Sequence, residues 1–167
     1  MRKLNLLKTI VDYVFILSII MCTLLIVFSI LLILGSETLK IPDKFFFNGI
    51  EIIGIWSKLG LTINIANFGL TLYILFNFKK LLGNFKEKLI FEIETCILLN
   101  RIGRLLIYSS FIYILAEMIL RLSKNDIYID FGFGPFLYLV SLGLFFIVLA
   151  EVFKMGKQLK EENELTI

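Results

Sequence analysis

Ser110, Tyr113, Glu117 and Arg121 recur at steps of three and four residues inside an otherwise apolar run. On a helix they form one polar stripe. A carboxylate in such a setting can carry a proton, bind a cationic ligand or act as a structural hydrogen-bonding post. The spacing leaves all three open. A second stripe, Gly60, Asn64, Asn67 and Thr71, lies in the preceding apolar run at steps of four, three and four. Side-chain amides facing lipid would go unsatisfied, so this face is expected to look into a helix bundle. Asn64, Asn67, Tyr113, Glu117 and Arg121 are therefore the candidate buried polar network. Glu151 stands near the end of the last apolar run, within reach of water, Lys154 or Arg104. It reads as an interfacial charge.

Other chemistries find no residues to carry them. The chain has no histidine, which removes the usual general base and the commonest metal ligand. The sequence shows no His/Cys metal cluster, no nucleophile–base pair and no Gly-rich phosphate loop. The isolated Gly132-Phe133-Gly134 is a turn signal. A non-enzymatic protein without cofactor or metal is expected. The net charge of +3 is modest, and nucleic-acid binding would need a basic face outside the membrane, so direct nucleic-acid binding is not expected. Cys22 and Cys96 should lie at different levels as free thiols.

The elements that must position these residues follow from composition. The 167 residues are 59% hydrophobic and 19% charged, with no domain-sized polar stretch. Lipid must be the solvent for much of that apolar surface. Four spans are expected, at about 11–34, 59–78, 102–122 and 134–153. The first is too long for a signal peptide and is followed by no small-x-small site, so it reads as an uncleaved span. Within it Ser18, Cys22 and Ser29 share one face, expected to turn to the bundle.

The polar interval from 79 to 101 organises the rest. With the residues just after it, it carries Lys79, Lys80, Lys86, Lys88, Arg101 and Arg104. With Arg2, Lys3 and Lys8 at the start and Lys154, Lys157 and Lys160 after the last span, twelve basic residues fall on one side. Lys40, Lys44, Lys58, Arg121 and Lys124 make five on the other. Positive charge marks the cytoplasmic side. Both termini should therefore be cytoplasmic, with two helical hairpins opening outward.

Smaller elements are expected at both surfaces. In the interval 79–101, Asn84 and Glu87 have capping-box spacing. Phe85, Leu89, Ile93, Cys96, Ile97 and Asn100 trace an apolar stripe, which predicts an amphipathic helix at the membrane surface. Outside, in the loop 35–58, Asn48-Gly49 separates two runs rich in Phe and Ile and predicts a hairpin of Phe45–Phe47 with Ile50–Ile53. In the loop 123–133, Ile127–Phe131 alternates like a third strand. The expected architecture is an all-α, four-transmembrane-helix bundle with a small extracytoplasmic β cap.

The tail, 154–167, continues the fourth helix into Glu161, Glu162 and Glu164, then Leu165, Thr166 and Ile167. The ending Val152-Phe153, Gly156, Leu159, Glu161-Glu162, Leu165-Thr166-Ile167 resembles that of a bacterial four-span family, domain of unknown function 2975. A second family-like element is Phe91, then Arg101-Ile102-Gly103, with Ile90 where proline is usual and Thr95 where asparagine is usual. Ile97 and Leu98 replace basic residues. The resemblance implies a membrane partner for a small Cro-like helix-turn-helix regulator. Lys86, Lys88, Glu92, Glu161, Glu162, Glu164, Leu165 and Ile167 are the candidate partner surface. The alternative is a small transporter or channel subunit using the polar faces of spans two and three.

Overall fold

The computed structural model describes residues 2–34, 39–40, 51–52, 54–122 and 133–165. Four long helices carry nearly all of them: α1 (Arg2–Leu34), α2 (Gly54–Lys86), α3 (Ile93–Leu122) and α4 (Phe133–Leu165). All four are long and apolar enough to cross a membrane. At 1.5 Å per residue they run about 45–50 Å, longer than a hydrocarbon core of about 30 Å. The excess lies mainly at the end of the bundle that holds both termini and the α2–α3 turn. Length and composition make this a multi-pass membrane protein.

That turn corrects one expectation. No separate amphipathic helix occupies 79–101. Instead α2 continues to Lys86 and α3 begins at Ile93, so the apolar stripe is split between two helices. Asn84 does not cap a helix start; it lies in the last turn of α2. The Leu89 amide donates to the Asn84 carbonyl at 2.9 Å and the Lys88 amide to the Phe85 carbonyl at 3.2 Å. Lys88 takes the left-handed conformation, φ 62°. This pair of bonds around a left-handed residue is a Schellman ending. Four residues on, the Glu92 carbonyl accepts the amides of Thr95 and Cys96 and starts α3.

The substantial interfaces among the described residues join consecutive helices: α1 with α2, α2 with α3, and α3 with α4. α1 thus sits at one edge against α2, while α2 also reaches α4 through the ring contacts Phe78–Phe146 and Phe85–Phe153. On α1, Val11, Phe15, Ser18, Cys22, Leu25 and Ser29 are buried or half-buried, while their flanking residues are mostly exposed. Their alternating steps of four and three give the narrow seam of a left-handed helix pair. The expected Ser18–Cys22–Ser29 face is part of it. The main core sits toward the termini-bearing end. There Leu98, Leu99, Ile102 and Leu106 of α3 meet Ile74 and Leu81 of α2 and Ala150 of α4.

Two contacts set how closely the helices approach. A Cβ on Gly103 would stand 2.6 Å from the Gly143 carbonyl oxygen, and one on Gly143 would stand 2.8 Å from the Gly103 carbonyl oxygen. Paired glycines therefore bring the α3 and α4 backbones together. At the other end, a Cβ on Gly60 would meet Leu120 Cγ at 2.7 Å.

The β cap is not supported. The described strands are two residues each, β1 (Leu39–Lys40) and β2 (Glu51–Ile52), paired antiparallel with Leu39 opposite Ile52 and Lys40 opposite Glu51. A two-residue turn at Asn48-Gly49 would have set Phe45 opposite Ile52, so the register is different. Two short strands present unpaired edges and make no independent layer. Phe45–Gly49 and Ile127–Phe131 lie outside the described residues.

Candidate functional site

Of the expected polar network, Asn67 is engaged by a serine outside it. Asn67 is buried between α2 and α3. Its amide donates to the Ser109 carbonyl at 3.2 Å, and the Ser109 hydroxyl donates to Asn67 Oδ1 at 2.9 Å. Asn67 thus bonds both the backbone and the side chain of Ser109 across the interface. Sequence reasoning singled out Ser110, which falls in register with Tyr113 and Glu117. Ser110 is buried but its hydroxyl donates to the Ile107 carbonyl of its own helix, 2.6 Å away. Thr71 likewise returns to the Asn67 carbonyl at 3.1 Å. Asn64, Tyr113 and Glu117 are half-buried, nearer the opposite end of the bundle. The Arg121 side chain lies outside the described residues.

A double-mutant cycle on Asn67→Ala and Ser109→Ala measures this pair. The expected coupling is about 0.6–1.7 kcal/mol, the range for hydrogen bonds between membrane helices. Additive losses in detergent unfolding would show that the two side chains do not act together.

The termini-bearing end is more elaborately built. Asn84 and Thr95 are buried on either side of the α2–α3 turn. The Asn84 amide donates to Thr95 Oγ1 at 3.2 Å, and Thr95 Oγ1 donates to the Leu89 carbonyl at 2.7 Å. One hydroxyl therefore ties α2, the turn and α3 together. Lys80 and Glu94 join the same two helices by an exposed ion pair of 2.7 Å. On the other flank Lys79 meets Asp12 of α1 at 3.0 Å and lies 5.4 Å from the Phe15 ring centroid. Neither Thr95 nor Asp12 was singled out from the sequence for such contacts. A polar residue inside an apolar run was the available signal at Asp12.

The turn also grips α4. Phe153 packs its ring 6.0 Å from that of Phe85 and 5.7 Å from that of Phe91. Phe91 covers Gly156 so closely that a Cβ there would stand 2.7 Å from its ring. The two family-like pieces of sequence, one beginning at Phe91 and the other holding Phe153 and Gly156, are thus in contact.

Of the candidate partner surface, Lys86, Lys88 and Glu92 are exposed around the turn, and Glu161 and Glu162 are exposed on α4. Glu161 lies 3.5 Å from Lys157 of its own helix. The backbones of Glu164 and Leu165 are helical, their side chains are not described, and Ile167 lies outside the described residues. α4 is helical to Leu165, so the tail through that residue is an extension of the helix. Between this extension and the first turns of α3 runs a groove of ≈ 380 Å³.

Cys22 and Cys96 are both free thiols. Among the described residues no three His, Cys, Asp or Glu side chains are grouped to hold a metal ion.

No curated protein and no solved structure matches the chain. A family model described as "Protein of unknown function (DUF2975)" matches residues 4–167, nearly the whole length. With the contact between Phe91 and the Phe153–Gly156 segment joining the two pieces that carry the likeness, the chain belongs to the DUF2975 family.

Proposed function

We propose that this is a non-enzymatic membrane protein of the bacterial inner membrane whose termini-bearing end faces the cytoplasm and holds a small soluble helix-turn-helix regulator. The observation that carries the reading is the frame at that end. Thr95 and Asn84 fix the α2–α3 turn, and Phe91 fixes the turn to α4. The exposed charges Lys86, Lys88, Glu92, Glu161 and Glu162 are thereby mounted on rigid elements, as a docking surface requires. The twelve-to-five distribution of basic residues supports the orientation. The transport alternative has less support, since Asn67 spends both polar atoms of its amide on Ser109.

The test is crosslinked purification from native membranes, asking by mass spectrometry for a small DNA-binding protein. Deleting residues 161–167 is expected to remove that protein while the bundle stays folded and inserted. Unchanged recovery after the deletion takes the tail out of the mechanism. A collapse of thermal stability would instead make the tail a packing element.

A further inference from the structure

The groove between α3 and α4 has two features that point to one ligand class. The first is its level. α4 carries no charge from Phe133 to Ala150, a stretch of about 27 Å at 1.5 Å per residue, close to the thickness of a hydrocarbon core. Glu151 and Lys154, the first two charges of α4, therefore stand where lipid head groups begin. Both line the groove, together with Ile93 and Ile97 of α3. Those two isoleucines are 62% and 51% exposed, so the α3 wall of the groove is apolar and open.

The second feature is charge. Among the described residues neither Glu151 nor Lys154 is held in an ion pair, whereas Lys157, also in the groove, is engaged by Glu161 at 3.5 Å. One carboxylate and one amine thus remain available a helical turn apart on the same face. We propose that this groove binds the head group of a zwitterionic aminophospholipid, a phosphoethanolamine, independently of whether a regulator docks at this end. Lys154 receives the phosphate, Glu151 accepts hydrogen bonds from the primary ammonium, and Ile93 and Ile97 form the apolar wall against which the head group and glycerol lie. The pairing is selective in both directions. A trimethylammonium has no N–H to donate to Glu151. A purely anionic head group meets the Glu151 carboxylate without offering it a cation.

The experiment uses the full chain in detergent, titrated with phosphatidylethanolamine, phosphatidylcholine or phosphatidylglycerol of matched acyl chains and read by native mass spectrometry. Wild type is expected to retain the ethanolamine lipid about tenfold better than the choline lipid, the scale of one charge-assisted hydrogen-bond set. Glu151→Gln should bring the two to near parity. Lys154→Gln should weaken both by removing the phosphate contact. Both positions are exposed, so thermal unfolding without added lipid should not change and serves as the folding control. Equal retention of choline and ethanolamine lipids by wild type overturns the proposal. So does glycerol lipid held as tightly as ethanolamine lipid, or a preference that survives Glu151→Gln.

Discussion

Gly103→Leu is expected to be the most damaging single substitution in the described bundle. The obstacle to a side chain here is backbone: the Gly143 carbonyl oxygen stands 2.6 Å from the position of the new Cβ, with the Ile147 amide at 3.1 Å. Neither can swing aside as a flexible side chain would. The α3 and α4 helices must separate along their whole contact, which is the most extensive in the molecule among the described residues. Even alanine should cost about 1–3 kcal/mol by overpacking, and leucine more. Gly69→Ala is the matched control. A Cβ there meets nothing within 4 Å, so the gain in helix propensity should leave stability unchanged or raised by about 0.5–1 kcal/mol. Unfolding of purified protein in mixed micelles checks both. If Gly103→Leu unfolds together with Gly69→Ala, the close crossing of α3 and α4 does not exist.

The second large effect is expected at Thr95, whose side chain is fully buried at the α2–α3 turn. Valine has nearly its shape but neither of its bonds. Thr95→Val strands the Leu89 carbonyl, now accepting at 2.7 Å, and the Asn84 amide, now donating at 3.2 Å. Leaving the buried Asn84 amide unsatisfied should cost about 1–3 kcal/mol, with a smaller loss at the part-buried Leu89 carbonyl. Thr95→Ser keeps the hydroxyl and should recover most of that. Combining Thr95→Val with Asn84→Leu should cost less than the sum of the two, because the orphaned amide is gone. Thermal melts give the magnitudes, and hydrogen exchange at the Thr95 and Cys96 amides reports whether the start of α3 loosens. Valine as stable as threonine would remove the clamp from the account of this turn.

The large-scale architecture was legible because lipid imposes a simple requirement. Each crossing needs a long run with few charges, and the four runs around 11–34, 59–78, 102–122 and 134–153 meet it wherever their partners sit. Local punctuation was less readable. Asn84 and Glu87 have the spacing of a helix start, yet the structure uses Asn84 in a helix end. The deciding partner is Thr95, eleven residues away, and no local pattern announces it. Ser109 illustrates the same limit. Periodicity groups Ser110 with Tyr113 and Glu117, but which serine meets Asn67 depends on how α3 is rotated against α2, and that is set by close contacts such as Gly60 with Leu120. The β ladder failed for a related reason. Asn48-Gly49 permits a turn, but the long-range pairing of Leu39 with Ile52 belongs to another register.

The edge position of α1 carries a consequence for biosynthesis. Synthesis runs from the amino end, so α1 emerges before α2, the helix against which it makes its substantial contact among the described residues. The mean hydropathy of α1, 3.0, is the highest of the four, and among the described residues it makes its substantial contact with α2 alone. It is built to be inserted unaided. The next two helices are far less apolar, at 1.6 and 1.5, and they hold the reciprocal Asn67–Ser109 bonds and the Asn84–Thr95 clamp between them. Each offers the other the hydrogen bonds that lipid withholds. Their passage from the translocon is therefore best served by release as a pair, with the tight turn at Lys88 already closed, so that α1 acts as the anchor and α2–α3 as a single co-translational unit.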